Sequence, residues 1–308
     1  MPQSDGQRIA IPPGMKFTKI LCPIDFSSGS SHAMQLAIRL ANASNAELVL
    51  AHAWHLPPTA YLGELPFPPD AIQAMIDDVE HGLAAALRDA TSLGAKRVTT
   101  RLLRGAPWEQ LVDTLRNDRA FDLVVMGTHG RSGLARVLLG SVAENVVRHA
   151  ACSVLTAHEQ TEATPFRRIL CPVDFSESSR RAIDLTARIV EPETAQITLL
   201  HVLELPVTYS GEPSITDLVA DLDKQSARLL EQWASELRTK VPVPVVTRSR
   251  IGSAGRQTLA ALDEVPPFDL VVVGSHGRTG IRRVLLGSVA EKLVRHASCP
   301  VLVARERP

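Results

Sequence analysis

The chain has 308 residues, with 33 lysines and arginines balanced by 33 aspartates and glutamates. A formal net charge of zero supplies no overall field toward nucleic acid or an anionic membrane, so any anion site must be local. The length is about twice that of a common domain, enough for two cores, and no apolar run approaches the roughly 20 residues of a membrane-spanning helix.

Residues 1–16 read as an N-terminal tail. It has no continuous apolar stretch followed by a small-residue cleavage site, and the expected location is the cytoplasm. From Phe17 onward, short apolar runs alternate with longer amphipathic stretches, the pattern of β-α-β units around a parallel sheet. The run "KILCPIDF" reads as the first strand and "SSHAMQLAIRLANA" as the helix after it. "AELVLAHAW" is the second strand, followed by the helical "DAIQAMIDDVEHGLAAALRDATSLG". "RVTTRLLRG", "FDLVVMG" and "CSVLTAHE" complete five strands. The polar stretch "EQTEATPF", residues 159–166, reads as a linker between a domain at 17–158 and another at 167–308. The second domain repeats the series as "RILCPVDF", "AQITLLHVLE", "VPVVTRSRIG", "FDLVVVG" and "CPVLVARE". Five strands and about four helices per half follow.

"LVVMG" and "LVVVG" are apolar on both faces, as central strands covered by helices must be. "VPVPVVTRSR" carries two prolines, each removing a ladder donor, which places the third strand at an edge. The expected fold class is therefore α/β: two tandem flavodoxin-like (Rossmann-like) domains, each a five-stranded parallel sheet of order 3-2-1-4-5 with helices on both faces. Cys22, Cys152, Cys171 and Cys299 fall two per half inside apolar runs without C-x-x-C spacing. They read as buried small hydrophobes in a reducing compartment.

Ligands of open parallel sheets bind beyond the carboxyl ends of the strands where the winding reverses, here after strands 1 and 4. The segment after strand 4, "GTHGRSGLARVLLGSVAENVVRHA" from Gly127, returns 147 positions later as "GSHGRTGIRRVLLGSVAEKLVRHA" from Gly274. Each copy spaces its glycines alike: Gly127, Gly130 and Gly140-Ser141, then Gly274, Gly277 and Gly287-Ser288. Glycine permits positive φ and close approach of N–H groups to an anion, and the serine opens a helix whose N-terminus favours phosphate. His129, Arg131 and Arg136, with His276, Arg278, Arg282 and Arg283, add donors or positive charge. After strand 1 stand "CPIDFS" and "CPVDFS", with Asp25 and Asp174 at the strand tips. A carboxylate there either caps the following helix or contacts a ligand.

This combination, G-x-x-G, nine residues, then G-S after "DLVVMG", with "PIDFS" far upstream, resembles the universal stress protein family, in tandem form and in its ATP-binding branch. The resemblance covers essentially the whole chain. It implies that the ligand is ATP, or ADP or AMP, with magnesium accompanying the triphosphate. By the same resemblance, adenosine is held by Pro23, Ile24, Asp25 and Ala53, and by Pro172, Val173, Asp174 and Val202. Ribose and phosphates fall to Met126, Gly127, Gly130, Gly140, Ser141 and Val142, and to Val273, Gly274, Gly277, Gly287, Ser288 and Val289. Two places after the serine, some ATP-binding members have a hydroxyl where this chain has Ala143 and Ala290, which removes one phosphate contact. The resemblance further implies that the last strands of the two halves face each other in an intramolecular pseudo-dimer, and it accommodates a homodimer of chains.

The expected function is that of a nucleotide-dependent sensor or regulatory module in stress response. Two alternatives stand beside it: a slow ATP hydrolase, and a non-catalytic interaction scaffold with vestigial nucleotide sites. No S-G-G-x-D-S signature follows strand 1 and no catalytic group is assigned. His129 and His276 have no second His, Cys or carboxylate at ligand spacing in their loops, so no protein-borne metal site is expected. Trp54, Trp108 and Trp233 are scattered and read as packing residues rather than base-stacking platforms. The arginines and histidines of "VRHA" suit a helix C-terminus. "YLGELPFPPD" and "YSGEPS" read as loops beside the site.

Overall fold

The computed structural model describes residues 17–55, 68–128, 139–158, 164–191, 196–205, 213–277 and 286–306. In the first half these form β1 (Lys19–Pro23), α1 (Ser28–Ser44), β2 (Glu47–Trp54), α2 (Pro69–Ser92) and β3 (Val98–Arg104), then α3 (Pro107–Asn117), β4 (Phe121–Gly127), α4 (Ser141–His149) and β5 (Ser153–Ala157). The second half repeats the order with β6 (Arg168–Val173), α5 (Glu177–Ile189), β7 (Gln196–Leu203), α6 (Pro213–Arg238) and β8 (Val245–Ile251), then α7 (Ala254–Leu262), β9 (Leu270–Gly274), α8 (Ser288–His296) and β10 (Val301–Ala304).

Capping explains where the helices begin. Ser27 and Ser176 stand in extended conformation and accept the N–H of Ser30 and Ser179, each at 3.2 Å, starting α1 and α5. Proline at the first turn opens α2 and α3, where its missing N–H costs nothing. Asn45 ends α1 in the left-handed region at φ 55°, which asparagine tolerates.

The strands form one ten-stranded sheet in the order β3-β2-β1-β4-β5-β10-β9-β6-β7-β8. Each half is parallel in the order 3-2-1-4-5, and the halves join through the antiparallel pair β5 and β10, with Leu302 opposite Leu155. Both third strands stand at the outer edges. Pro242 and Pro244 precede β8 rather than lying within it, so the edge keeps its N–H groups and the carbonyl of Pro244 accepts from Ile197. β4 is buried on both faces at all but its last residue, whereas β3 alternates between half-buried and exposed positions over Val98–Leu102 and buries only Leu103.

The side-chain period of two sends successive strand residues to opposite layers. Ile20 and Cys22 join the layer under α1, α2, α5 and α6, and Leu21 joins the one under α3, α4, α7 and α8. Each layer contains residues of both halves and crosses the β5–β10 seam without a break.

The seam is reinforced reciprocally. Arg39 of α1 lies over the ring of Phe166, 4.5 Å from its centroid, and pairs with Glu191. Arg188 of α5 lies over Phe17 at 4.7 Å and reaches Asp122 at 3.1 Å. On the opposite face Arg295 pairs with Glu144 at 2.8 Å, and Arg305 donates to the carbonyls of Val147 and Arg148, both at 2.6 Å, at the end of α4.

Candidate functional site

Where the strand order reverses, between β1 and β4 and between β6 and β9, each half opens into a cavity. The first-half cavity is about 360 Å³ and the second about 290 Å³, at or just below the lower end of the range of small-molecule sites. Their floors are the tips of the central strands, and one wall is the first turn of α4 or α8.

The segment after the first strand is built the same way in both halves. Phe26 and Phe175 take the left-handed conformation, φ 63° and 64°, which turns the chain sharply after Asp25 and Asp174. Asp25 accepts from the backbone N–H of Ser27 at 3.1 Å and from its hydroxyl at 2.5 Å. Asp174 does the same with Ser176, at 3.1 and 2.6 Å, and also accepts from the hydroxyl of Ser179 at 2.5 Å. The aspartates are therefore not the helix caps. They orient the serines that are, and they face the cavity at the same time. Behind them, His52 Nδ1 lies 2.7 Å from the carbonyl oxygen of Ile24 and His201 Nδ1 2.8 Å from that of Val173, tying the turn to the second strand.

The segment after the fourth strand supplies the opposite wall. Gly140 and Gly287 occupy the N-cap positions of α4 and α8, with φ −60° and −65°, and among the described residues no side chain caps either helix. Their N–H groups donate to the carbonyls of Thr128 and Ser275, both at 2.8 Å, closing the end of the loop onto the strand. Glycine is required here by close approach rather than by positive φ. A Cβ on Gly274 would lie 2.7 Å from the Ser178 carbonyl carbon and hydroxyl, and one on Gly277 would lie 2.9 Å from Asp174 Oδ2. A Cβ on Gly287 would stand 3.2 Å from the Cα of His276.

The first cavity is lined by Pro23, Ile24, Asp25, Ala53, Met126, Gly127, Gly140, Ser141 and Val142. The second is lined by Pro172, Val173, Asp174, Val202, Val273, Gly274, His276, Gly277, Gly287, Ser288 and Val289. Two segments about 100 residues apart in each half are thereby brought to one place. His129, Gly130, Arg131 and Arg136 lie outside the described residues, as do Arg278, Arg282 and Arg283 and most of the loops "YLGELPFPPD" and "YSGEPS". The N–H of His276 donates to Ser178 Oγ at 3.2 Å, and its ring Nδ1 lies 2.9 Å from Ser275 Oγ.

Sequence reasoning did not find Ser30 and Ser179, nor Pro107, Leu111, Ala254 and Thr258, all of which line the cavities. The serines carry a signal, the Ser-x-x-Ser repeated in both halves. The residues of α3 and α7 carry none, since only the winding of the chain brings these helices over the strand tips. Cys22 and Cys171 precede the cavity-lining Pro23 and Pro172 in their strands and point into the other apolar layer, and burial pushes both thiols up to about 12. They remain neutral packing groups.

The family model described as universal stress protein family matches twice, at residues 16–158 and 165–305. The chain belongs to the universal stress protein family. A universal stress protein of Mycobacterium tuberculosis (strain CDC 1551) is 31% identical over 295 residues, covering 93% of this chain and 96% of the relative. One from Mycolicibacterium smegmatis is 28% identical over 306 residues, 94% and 97% of the two chains. Among solved structures, a universal stress protein from Archaeoglobus fulgidus superposes with a TM-score of 0.69 at 23% identity, over 94% of this chain and 98% of that one, and shows the shared fold. Among the described residues no helix is long and apolar enough to cross a membrane, and no group of three or more His, Cys, Asp and Glu side chains could hold a metal ion.

Proposed function

We propose that each crevice of this universal stress protein binds an adenine nucleotide, ATP in the first instance, and that occupancy of the two sites sets the state read by a partner. The observation that carries the proposal is the pairing, in both halves, of a helix N-terminus that begins at a glycine with a strand-tip aspartate across one cavity. The first N–H groups of α4 and α8 and the positive end of each helix dipole suit phosphate oxygens. Asp25 and Asp174 offer carboxylate oxygens to hydroxyl or amino donors. The apolar sides, Ala53 and Met126 in one half and Val202 and Val273 in the other, suit a flat base.

Nucleotide fits this donor set better than a purely apolar ligand. In the second half, glycine lets the loop close onto the segment after the first strand, where a Cβ would meet backbone or carboxylate atoms. Magnesium would arrive with the triphosphate, bound chiefly by phosphate oxygens and water. The reading is one of binding, and it assigns no group to a catalytic step.

Titration with a fluorescent ATP analogue tests the proposal. A saturable signal displaced by unlabelled ATP is the expected result. No saturable signal at millimolar nucleotide would leave the glycine loops an architectural device and put the interaction scaffold first.

A further inference from the structure

Three positions at which the halves differ meet at one place, beside the strand-tip crevices and on the α1–α2 side of the sheet. In the second half Trp233 of α6 is buried, with its ring edge-on to Phe175 at 5.4 Å. The guanidinium of Arg180 lies 4.3 Å from the centre of that indole and pairs with Glu236 at 2.7 Å. The first half has Ala86 in place of Trp233, each twelve residues before the first residue of the edge strand, Val98 or Val245. It has Ser31 in place of Arg180, each donating its N–H to the capping serine's carbonyl at 3.1 Å. It keeps an acid, Asp89, in place of Glu236. The ring and the cation are gone while the carboxylate remains. A cavity of about 290 Å³ stands there between α1 and α2, walled by Phe26, Ser31, Met34, Ala86 and Asp89 among others.

We propose that this cavity is a binding site for a small aromatic cation, a flat ring bearing an ammonium or guanidinium group. The ring takes the place of the Trp233 indole against Phe26, and the cation takes that of the Arg180 guanidinium beside the Asp89 carboxylate. The second half demonstrates the complementarity, because its own side chains occupy the equivalent space in that arrangement. Ring burial and aromatic contact supply the affinity, and the carboxylate selects the charge. The site is separate from the nucleotide reading, although Ile24 and Ser30 line both cavities and Phe26 stacks on His52 at 4.6 Å.

Tryptamine is the probe, added to full-length protein carrying ¹³C-methyl methionine. Met34, in the cavity wall, reports a ring-current shift. A ligand of about 12 non-hydrogen atoms bound at ordinary efficiency gives a Kd of about 1 mM. The Met34 methyl signal is expected to move and saturate, with indole-3-acetate weaker than tryptamine. Asp89→Asn should weaken tryptamine about threefold, the scale of one exposed ion pair, and leave neutral indole unchanged. Ala86→Trp with Ser31→Arg, which copies the second half, should abolish the shift. An unmoved Met34 signal at about 10 mM tryptamine, a shift that survives the double variant, or equal affinity in Asp89→Asn would each overturn the proposal. So would a shift abolished by Gly140→Asp or by saturating ATP, because tryptamine would then be entering the crevice. Should the double variant fail to fold, Asp89→Asn decides alone.

Discussion

Asp25 and Asp174 show how one side chain serves the backbone and the site together. Each carboxylate holds the serine that caps the next helix, at 2.5 or 2.6 Å through the hydroxyl, and each faces its cavity. The glycines opposite them are constrained by what they touch. Gly274→Ala would bring a Cβ to 2.7 Å from the backbone carbon of Ser178, an atom that cannot swing aside. We expect it to destabilise the chain by about 2 kcal/mol in chemical denaturation, within the range for overpacking, and to remove binding from the second half. The cysteines give a pH prediction. Burial pushes the thiols of Cys22, Cys171 and Cys299 from 9.0 up to about 12, so above pH 9 the unfolded chain releases protons that the folded chain keeps. Stability is therefore full below about pH 9 and falls as pH rises toward 12, by up to about 1.4 kcal/mol per pH unit for each thiol. Cys171→Ala should lose about 1 kcal/mol less than the unaltered protein between pH 8 and 10, on the same scale. An identical loss in both would contradict the assignment.

Among the elements, the third strand and the fourth were readable for different reasons. "LVVVG" has no polar residue to face water, and β9 is buried throughout. "VPVPVVTRSR" gave the edge position, but its prolines stop at Pro244 and β8 starts at Val245, because an edge strand still uses its N–H groups on the paired side. The N-caps were missed because both Asp and Ser favour that position, and only the positive φ at Phe26 and Phe175 decides which residue is in place to cap. The α1 and α5 latches lie wholly outside sequence reasoning, since Arg39 and Arg188 each find aromatic and acidic partners across the seam. Asp122 is 2% exposed and also accepts from the N–H of Thr18 at 2.9 Å. Arg188→Ala, which strips a buried carboxylate of its cation, should cost about 2 to 3 kcal/mol in urea denaturation. Arg295→Ala, whose pair with Glu144 is about 30% exposed on both sides, should cost less than about 1 kcal/mol. Equal costs would show that the latch is no more than a surface contact.

For the whole molecule, the duplication written in the sequence becomes one continuous sheet. Both apolar layers run through the antiparallel β5–β10 pair, so neither half closes its core alone. Calorimetry should give one unfolding transition whose calorimetric and van't Hoff enthalpies agree. Two separated transitions would mean that the halves are independent bodies. The repeat and the two switch-point segments were legible from spacing, because both are written twice with the same glycines, the edge position of the third strand from its prolines, and most of the cavity lining only through the resemblance to the universal stress protein family. The loss of Trp233's counterpart at Ala86 was not legible, since helix-facing alanine and tryptophan both fit an amphipathic pattern and only the neighbours around Phe26 and Phe175 distinguish them.

The most direct test is an isothermal titration of nucleotide-stripped protein with ATP and magnesium, beside the variants Gly140→Asp and Gly287→Asp, each of which puts a charged side chain at a helix N-cap that faces its cavity. Two working crevices predict two equivalents bound by the unaltered chain and one by each variant. No binding by the unaltered chain, or two equivalents still bound by both variants, would contradict nucleotide binding at these sites.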